Sequence, residues 1–243
     1  IRERYRWLPY NYTLAWENAS EGMPLVRPIN FYVKGDSPYD NVKDEYLWGR
    51  DILVAPVLTQ GASERQVIFP EGEWLDLLAP DGNIYQGGDT VMYPAPLDVL
   101  PLFVRGGSFI PTADYKMNNT GDYRTGSYTI NYYPTSGEST YTLFEDNLTS
   151  TTSIKDGNYR LITFKGEAGS DSIVIDITSA GSYSEARKNV ELSFIVHRIE
   201  SRPAGVSVDG KEIKGWKFDE KAHTLSFRYT YSADSEIRIT IAR

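Results

Sequence analysis

The chain has 243 residues, enough for one large or two modest domains, and its 40% hydrophobic content supplies a core. A formal net charge of -8, from 25 Lys and Arg against 33 Asp and Glu, leaves no basic footprint, so neither nucleic acid nor an anionic membrane is expected as a partner. With 0 cysteines there is no disulfide scaffold and no thiolate nucleophile, and no apolar run approaches the roughly 20 residues that span a bilayer.

The first segment reads as an amphipathic helix already under way, as in the tail of a larger protein. Ile1, Tyr5, Leu8 and Tyr12 recur at helical spacing, while Arg2, Glu3, Arg4 and Arg6 fall largely off that face. Pro9 is expected to kink this helix, and Ser20-Glu21-Gly22 to end it. An extended segment from Pro24 to Tyr32 follows, then a short helical turn over Asp44 to Asp51, then the apolar strand Ile52 to Leu58.

From about residue 51 the pattern becomes β. Ile52 to Leu58, Arg65 to Phe69, Trp74 to Leu78, Thr90 to Met92 and Leu102 to Val104 are short apolar or β-branched stretches. Between them stand turn-forming clusters such as Pro-Glu-Gly and Pro-Asp-Gly-Asn, so a small sandwich ending near Ile110-Pro111 is expected. Residues 112 to 126 are polar and glycine-punctuated, as in a linker or long loop. A second β block opens with Ser127 to Pro134, which is expected to pair with Gly137 to Glu145 across a tight turn. Stretches at 158–165, 171–177, 190–196, 224–229 and 235–241 repeat the period of two, and Asp209-Gly210 marks a hairpin. Together they predict a second antiparallel sandwich.

Three segments carry a resemblance: Arg4-Tyr5-x-x-Leu8-Pro9-Tyr10-x-Tyr12-Thr13-Leu14, then Gly22-x-Pro24-x-x-Arg27-Pro28, then Glu45-Tyr46-Leu47-Trp48-Gly49-x-Asp51-Ile52-Leu53-Val54-Ala55-Pro56-Val57. In this order they resemble the carboxyl-terminal part of the catalytic barrel in family 31 glycoside hydrolases. The likeness continues through Pro70-Glu71-Gly72-Glu73-Trp74-Leu75-Asp76 and Val99 to Pro111, and reaches Tyr141-Thr142-Leu143-Phe144-Glu145-Asp146.

The resemblance implies a mainly β fold, with two antiparallel β-sandwich domains preceded by a helix-strand remnant of a (β/α)8 barrel. The expected boundaries are residues 1–50 for the remnant, 51–112 for the proximal sandwich, 113–126 for a linker and 127–243 for the distal sandwich. It also implies a parent α-glucosidase or α-xylosidase that uses two aspartates in a retaining double displacement. The family's motifs for those aspartates, of the type Trp-x-Asp-Met-Asn-Glu and Gly-x-Asp-x-x-Gly, do not occur in this sequence. No catalytic, substrate-binding or metal-binding residue is therefore assigned, and no cofactor. The expected partners are the catalytic barrel of the parent chain and, through it, an oligo- or polysaccharide. The absence of cysteine does not settle the compartment, since many exported bacterial proteins also lack it; between settings, a periplasmic or secreted bacterial parent is favoured.

The chain's own candidate residues have structural readings beside the chemical ones. Asp44-Glu45 and Glu145-Asp146-Asn147 are paired carboxylates, but sequence neighbours on a strand face opposite ways and do not converge on one glycosidic bond. Asp44 or Asp51 is expected to cap a helix or turn, and Glu145-Asp146 to close a strand. Related sequences often read Glu-Asp-Asp-Gly where this chain has Glu145-Asp146-Asn147-Leu148, which puts a shared turn or ion-binding role in question. His197 and His223, the 2 histidines, have no partner at metal-ligand spacing; His223 reads as part of a turn. The sequons at Asn11, Asn18, Asn118 and Asn147 would matter only in a eukaryotic secretory route. The 18 tyrosines and 5 tryptophans are expected mainly in cores, with Tyr132-Tyr133 and Tyr229-x-Tyr231 as the clustered exceptions that could stack on sugar. An accessory region of an α-glycosidase and a stand-alone carbohydrate-binding module are the two functional classes these residues support. Residues 1 to 35, lacking the rest of a barrel, are expected to pack back on the proximal sandwich, dimerise or be mobile.

Overall fold

A computed structural model describes residues 2–79, 82–113 and 115–243. Ile1 of the predicted helix face, Pro80 and Asp81 of the Pro-Asp-Gly-Asn turn, and Asp114 of the predicted linker lie outside the described residues. The chain is mainly β and forms two compact units, residues 24–106 and residues 1–23 with 107–243.

The apolar spacing at the start gives two helices, α1 (Arg2–Arg6) and α2 (Leu8–Glu21). Pro9 does not kink a continuous helix. It sits in the first turn of α2, where a missing N–H costs nothing and its fixed φ suits helix initiation. Gly22 ends α2 as read: at φ 72° it sends its N–H to Asn18 O, while Met23 N–H reaches back to Glu17 O.

Residues 24–106 contain β1 (Val26–Pro28), β2 (Tyr46–Trp48), β3 (Ile52–Val54), β4 (Glu64–Ile68), β5 (Glu73–Asp76), β6 (Ile84–Gln86), β7 (Thr90–Pro94) and β8 (Leu102–Arg105). Six of them form an antiparallel sheet in the order β1-β2-β3-β8-β5-β6, and a separate ladder joins β4 to β7. Tyr46-Leu47-Trp48 is strand, not the helical turn expected, because it pairs on both sides, Leu47 opposite Arg27 and Leu53. Val67 of β4 and Val91 and Tyr93 of β7 join Leu47, Leu53, Trp74 and Phe103 in one core. Phe69 completes it, stacked on Tyr85 at 4.5 Å and edge-on to Phe103 at 4.8 Å.

The other unit has two sheets. The first contains β9 (Phe109–Thr112), β10 (Ser127–Tyr132), β14 (Asn189–Val196), β17 (Lys217–Asp219) and β18 (Thr224–Ser232), in the order β17-β18-β14-β10-β9. The second contains β11 (Gly137–Glu145), β12 (Tyr159–Ala168), β13 (Ser172–Ser182), β15 (Gly205–Val208), β16 (Lys211–Glu212) and β19 (Ile237–Ala242), in the order β11-β12-β13-β19-β15-β16. Phe164 of β12 meets Phe109 and Phe194 of the facing sheet at ring separations of 5.8 and 6.4 Å. Inward rows such as Ile173, Ile175 and Ile177 on β13 and Val190, Leu192 and Phe194 on β14 are buried, as the period of two predicts. The Asp209-Gly210 hairpin forms as read, with both residues at positive φ, 50° and 76°.

Four further expectations change. The predicted β10–β11 hairpin does not form: β10 pairs with β9 and, in parallel, with β14, while β11 pairs with β12 in the opposite sheet. β10 is buried from Tyr128 to Tyr132 and β11 at Tyr141 and from Leu143 to Glu145, and these buried stretches lie in different sheets, so the chain crosses between layers. The 51–112 boundary also moves, because β9 belongs to the sheet of β10, and β1 and β2 group with β3, so residues 24–50 lie in the 24–106 unit. Residues 113–126 are not a free linker: Ala113, Met117 and Tyr123 are buried and pack with Tyr5, Leu8 and Tyr12 of the helices. Finally, for residues 1 to 35, expected to pack on the proximal sandwich, dimerise or be mobile, α2 packs both on β9, from the stretch given to the proximal sandwich, and on β11 of the distal one. Tyr10 stacks near Tyr141 at 6.3 Å, Trp16 on Phe144 at 5.6 Å, and the Thr13 hydroxyl accepts the Phe144 N–H at 3.2 Å.

Candidate functional site

Each unit holds a buried glutamate, and each glutamate is held by an arginine. Glu45 precedes β2 and is 5% exposed. Its Oε1 accepts from Arg65 Nη2 at 2.6 Å and from the Ile68 N–H at 3.1 Å. Arg65 also donates to the carbonyls of Asp44, Pro56 and Gln66, so its charge has partners besides Glu45. Burial raises the Glu45 carboxyl to about 7, against the opposing pull of the Ile68 N–H and Arg65. A cavity of about 290 Å³ opens beside it, lined by Asp44, Leu58, Glu64, Arg65 and Met92 among others.

Glu145, the last residue of β11, is fully buried. Its Oε1 accepts from the Gly126 N–H at 2.8 Å and Tyr128 Oη at 2.6 Å; its Oε2 accepts from Arg160 Nε at 2.7 Å and is in ion-pair contact with Arg160 Nη2. Arg160 Nη1 in turn donates to Arg187 O at 2.7 Å. Burial, reinforced by Tyr123 and Glu145, holds the Tyr128 hydroxyl well above its ordinary value, so it is a fixed donor. Next in sequence, Asp146 faces α2: its Oδ1 accepts from Tyr12 Oη at 2.6 Å and from the Leu148 N–H at 2.8 Å.

Each of these carboxylates has hydrogen-bond partners within its own unit. Glu145 and Asp146 hold separate partner sets, as alternation along a strand requires. Asp146 closes a turn in which Leu148 adopts φ 63°, a left-handed conformation that glycine takes at lower cost than leucine. Asp44 contributes its carbonyl to Arg65 and lies 3.3 Å from it through Oδ2. The Asp51 carbonyl accepts the Arg105 N–H at 2.8 Å.

His197 stacks on Tyr133 at 4.3 Å, with Nε2 3.3 Å from Asn131 Oδ1. His223 sits at φ 46° in the turn before β18, as read. Among the described residues no group of three or more His, Cys, Asp or Glu gathers to hold a metal ion. Of the clustered aromatics, Tyr132 is buried against Phe109 at 4.0 Å, Tyr133 is buried, and Tyr231 is buried with its hydroxyl donating to Ser235 O at 2.8 Å. Tyr229 is half-buried.

Sequence reasoning passed over one surface feature, a groove of about 470 Å³ on the outer face of β10, β14 and β18. Its floor has two rows set by strand register: Ser127, Glu191 and Thr230 in one, and Thr129, Ser193 and Arg228 in the other. Its wall is Tyr115 with Arg124, whose guanidinium lies 4.5 Å from the ring centroid. Tyr115 Oη donates to Arg124 O at 3.1 Å and accepts the Arg124 N–H at 2.9 Å, which fixes the pair in the segment read as a linker.

Residues 22–110 match the glycosyl hydrolase family 31 C-terminal domain. The chain is 34% identical over 214 residues to Alpha-glucosidase 2 of Bacillus thermoamyloliquefaciens, covering 87% of this chain and 26% of that protein. It is 35% identical over 124 residues to the Alpha-xylosidase of Saccharolobus solfataricus, covering 51% of this chain and 17% of that protein. Among solved structures, the Flavobacterium johnsoniae GH31 dextranase complexed with isomaltotriose superposes with a TM-score of 0.89 at 26% identity, over 99% of this chain and 32% of that one. The chain thus spans about a quarter of the length of Alpha-glucosidase 2, at 26%. Sequence motifs, family match and fold agree, and the chain belongs to the carboxyl-terminal part of glycoside hydrolase family 31.

Proposed function

We propose that this chain is the accessory carboxyl-terminal region of a retaining α-glycosidase acting on terminal α-linked glucose or xylose, that it buttresses the catalytic barrel, and that it has no turnover by itself. In this reading α1 and α2 are the last helical piece of the barrel region, and the two units are the proximal and distal β-sandwiches.

The observation that carries the reading is the apolar surface of the 24–106 unit. Leu97 is fully exposed at 106%, Leu58 is 71% exposed, Leu78 61%, and Met92 and Val26 57% each. Side chains this open leave apolar area that a covering domain would bury. The buried carboxylates support it too, since Glu145 is tied up by Arg160 and Tyr128, and Glu45 by Arg65, where a glycosidase needs two carboxyl groups about 5 to 10 Å apart across a sugar.

Hydrolysis of nitrophenyl α-glucoside and α-xyloside, by the chain alone and by a protein that joins it to a family 31 barrel, tests the reading. Turnover is expected only in the joined protein. Turnover by the chain alone would place a working acid/base pair within these residues and overturn it.

A further inference from the structure

We propose that the outer-face groove on β10, β14 and β18 is a non-catalytic binding site for a neutral oligosaccharide. It rests on the groove's own chemistry and does not depend on the accessory reading.

The volume, about 470 Å³, lies within the range of roughly 300 to 1,000 Å³ typical of small-molecule clefts. Its floor alternates groups that accept and donate. Glu191 is an acceptor, Arg228 a forked donor, and the hydroxyls of Ser127, Thr129, Ser193 and Thr230 can do either. Among the described residues, the side chains of Arg228, Ser193 and Thr230 have no hydrogen-bond or ion-pair partner, so they face the groove with their capacity unused. Glu191 is tied only loosely, 3.5 Å from Ser127 Oγ.

Mixed donors and acceptors on a flat floor suit a ligand that presents many hydroxyls. The Tyr115–Arg124 wall adds a rigid planar pair for the apolar face of a pyranose. The wall is pre-ordered by the two hydrogen bonds between Tyr115 Oη and the Arg124 backbone, so little ordering cost falls on binding. Arg228 and Arg124 together would also attract an anion, but Glu191 in the middle of the floor opposes one. A neutral polyol satisfies both signs at once.

The outer face of the opposite sheet also has a hollow, near Lys165, Asp176 and Arg238. There the charges are already paired with each other or their neighbours, Arg238 with Asp176 at 2.7 Å and Lys165 with Glu138 at 2.9 Å, so that surface serves as the control.

The experiment is titration of the full chain with maltotriose and with isomaltotriose, followed by saturation-transfer NMR and calorimetry. Variants are the pair Arg228→Ala with Glu191→Gln and, as control, Lys165→Ala; thermal unfolding confirms that each folds. Binding is expected, weakened about tenfold or more in the groove variant, a loss of about 1.4 kcal/mol, and unchanged in the control. No binding of either sugar at millimolar concentration overturns the proposal. So does sugar binding that survives the groove variant, or binding of inorganic sulfate that displaces the sugar. None of these outcomes bears on turnover in the joined protein, so the two readings fail separately.

Discussion

Tyr12 Oη donates to Asp146 Oδ1 at 2.6 Å across 134 residues of sequence, and through this bond α2 is tied to the end of β11. The ring of Tyr12 also packs against Phe144 and Tyr123, at 5.6 and 6.2 Å, so the contact is apolar around a polar centre. Tyr12→Phe should keep the packing and lose the charge-assisted bond, at a cost of about 1.5 to 3 kcal/mol. Urea unfolding of the two proteins measures it; equal midpoints would show that water replaces the bond without loss.

The Glu145–Arg160 pair is buried at both ends, with side-chain exposures of 0% and 3%. Removing one partner strands the other charge, so Glu145→Leu or Arg160→Met should each cost about 3 to 5 kcal/mol. The double variant that combines Glu145→Leu with Arg160→Met is expected to cost less than the two single changes summed, because no lone charge is left. A double-mutant cycle by chemical denaturation decides it, and strict additivity would mean the two side chains act independently.

Glu45 gives the 24–106 unit a pH dependence. Burial raises its carboxyl to about 7, above its ordinary unfolded value of about 4.3, so the folded state holds the proton more tightly. Its contribution is therefore fully present below the unfolded value and is lost as pH rises through about 7. Denaturation midpoints should fall from pH 5 to pH 8, and Glu45→Gln should flatten that slope while Arg65 keeps its three carbonyl partners. An unchanged slope in the variant would assign the dependence elsewhere.

Several hydroxyls act the same way at alkaline pH. Burial raises Tyr12, Tyr93, Tyr128 and Tyr133, with Asp146 and Asp76 adding to it at the first two. Unfolded tyrosine loses its proton near pH 10, so the stabilisation is intact below that and is lost as pH climbs past it. Stability should drop steeply above pH about 10. Spectrophotometric titration should show part of the tyrosinate signal appearing only with unfolding; a smooth titration of every tyrosine in the folded chain would contradict this.

Gly166 of β12 lies under two stacked rings. A Cβ there would overlap Tyr132 Oη and come within 2.7 Å of Tyr132 Cζ and 2.8 Å of Phe109 Cζ. These rings are buried and stacked at 4.0 Å, so they cannot swing away freely. Gly166→Ala should destabilise by about 1 to 3 kcal/mol through overpacking. Thermal unfolding reads the effect, and a neutral result would show slack between the two sheets.

The sequence alone determined that this is a strand-rich chain with a helical start, a Gly22 stop, an Asp209-Gly210 hairpin and family 31 motifs. Each of these is a local property: alternation buries one face of a strand, and a left-handed turn selects glycine or asparagine-like chemistry within a few residues. It left open, or misread, whatever depends on partners distant in sequence. Tyr46-Leu47-Trp48 is a strand only because β1 and β3 flank it. β10 and β11 look like a hairpin until their two buried faces are assigned to different sheets. Residues 113–126 are polar on average, yet Ala113, Met117 and Tyr123 anchor them under the helices. The groove joins Tyr115 and Arg124 to Glu191 and Arg228, and no spacing in the sequence links those positions. Only the register of β10, β14 and β18 sets their side chains on one face, because strand pairing is chosen by burial across the whole core and not by the residues next door.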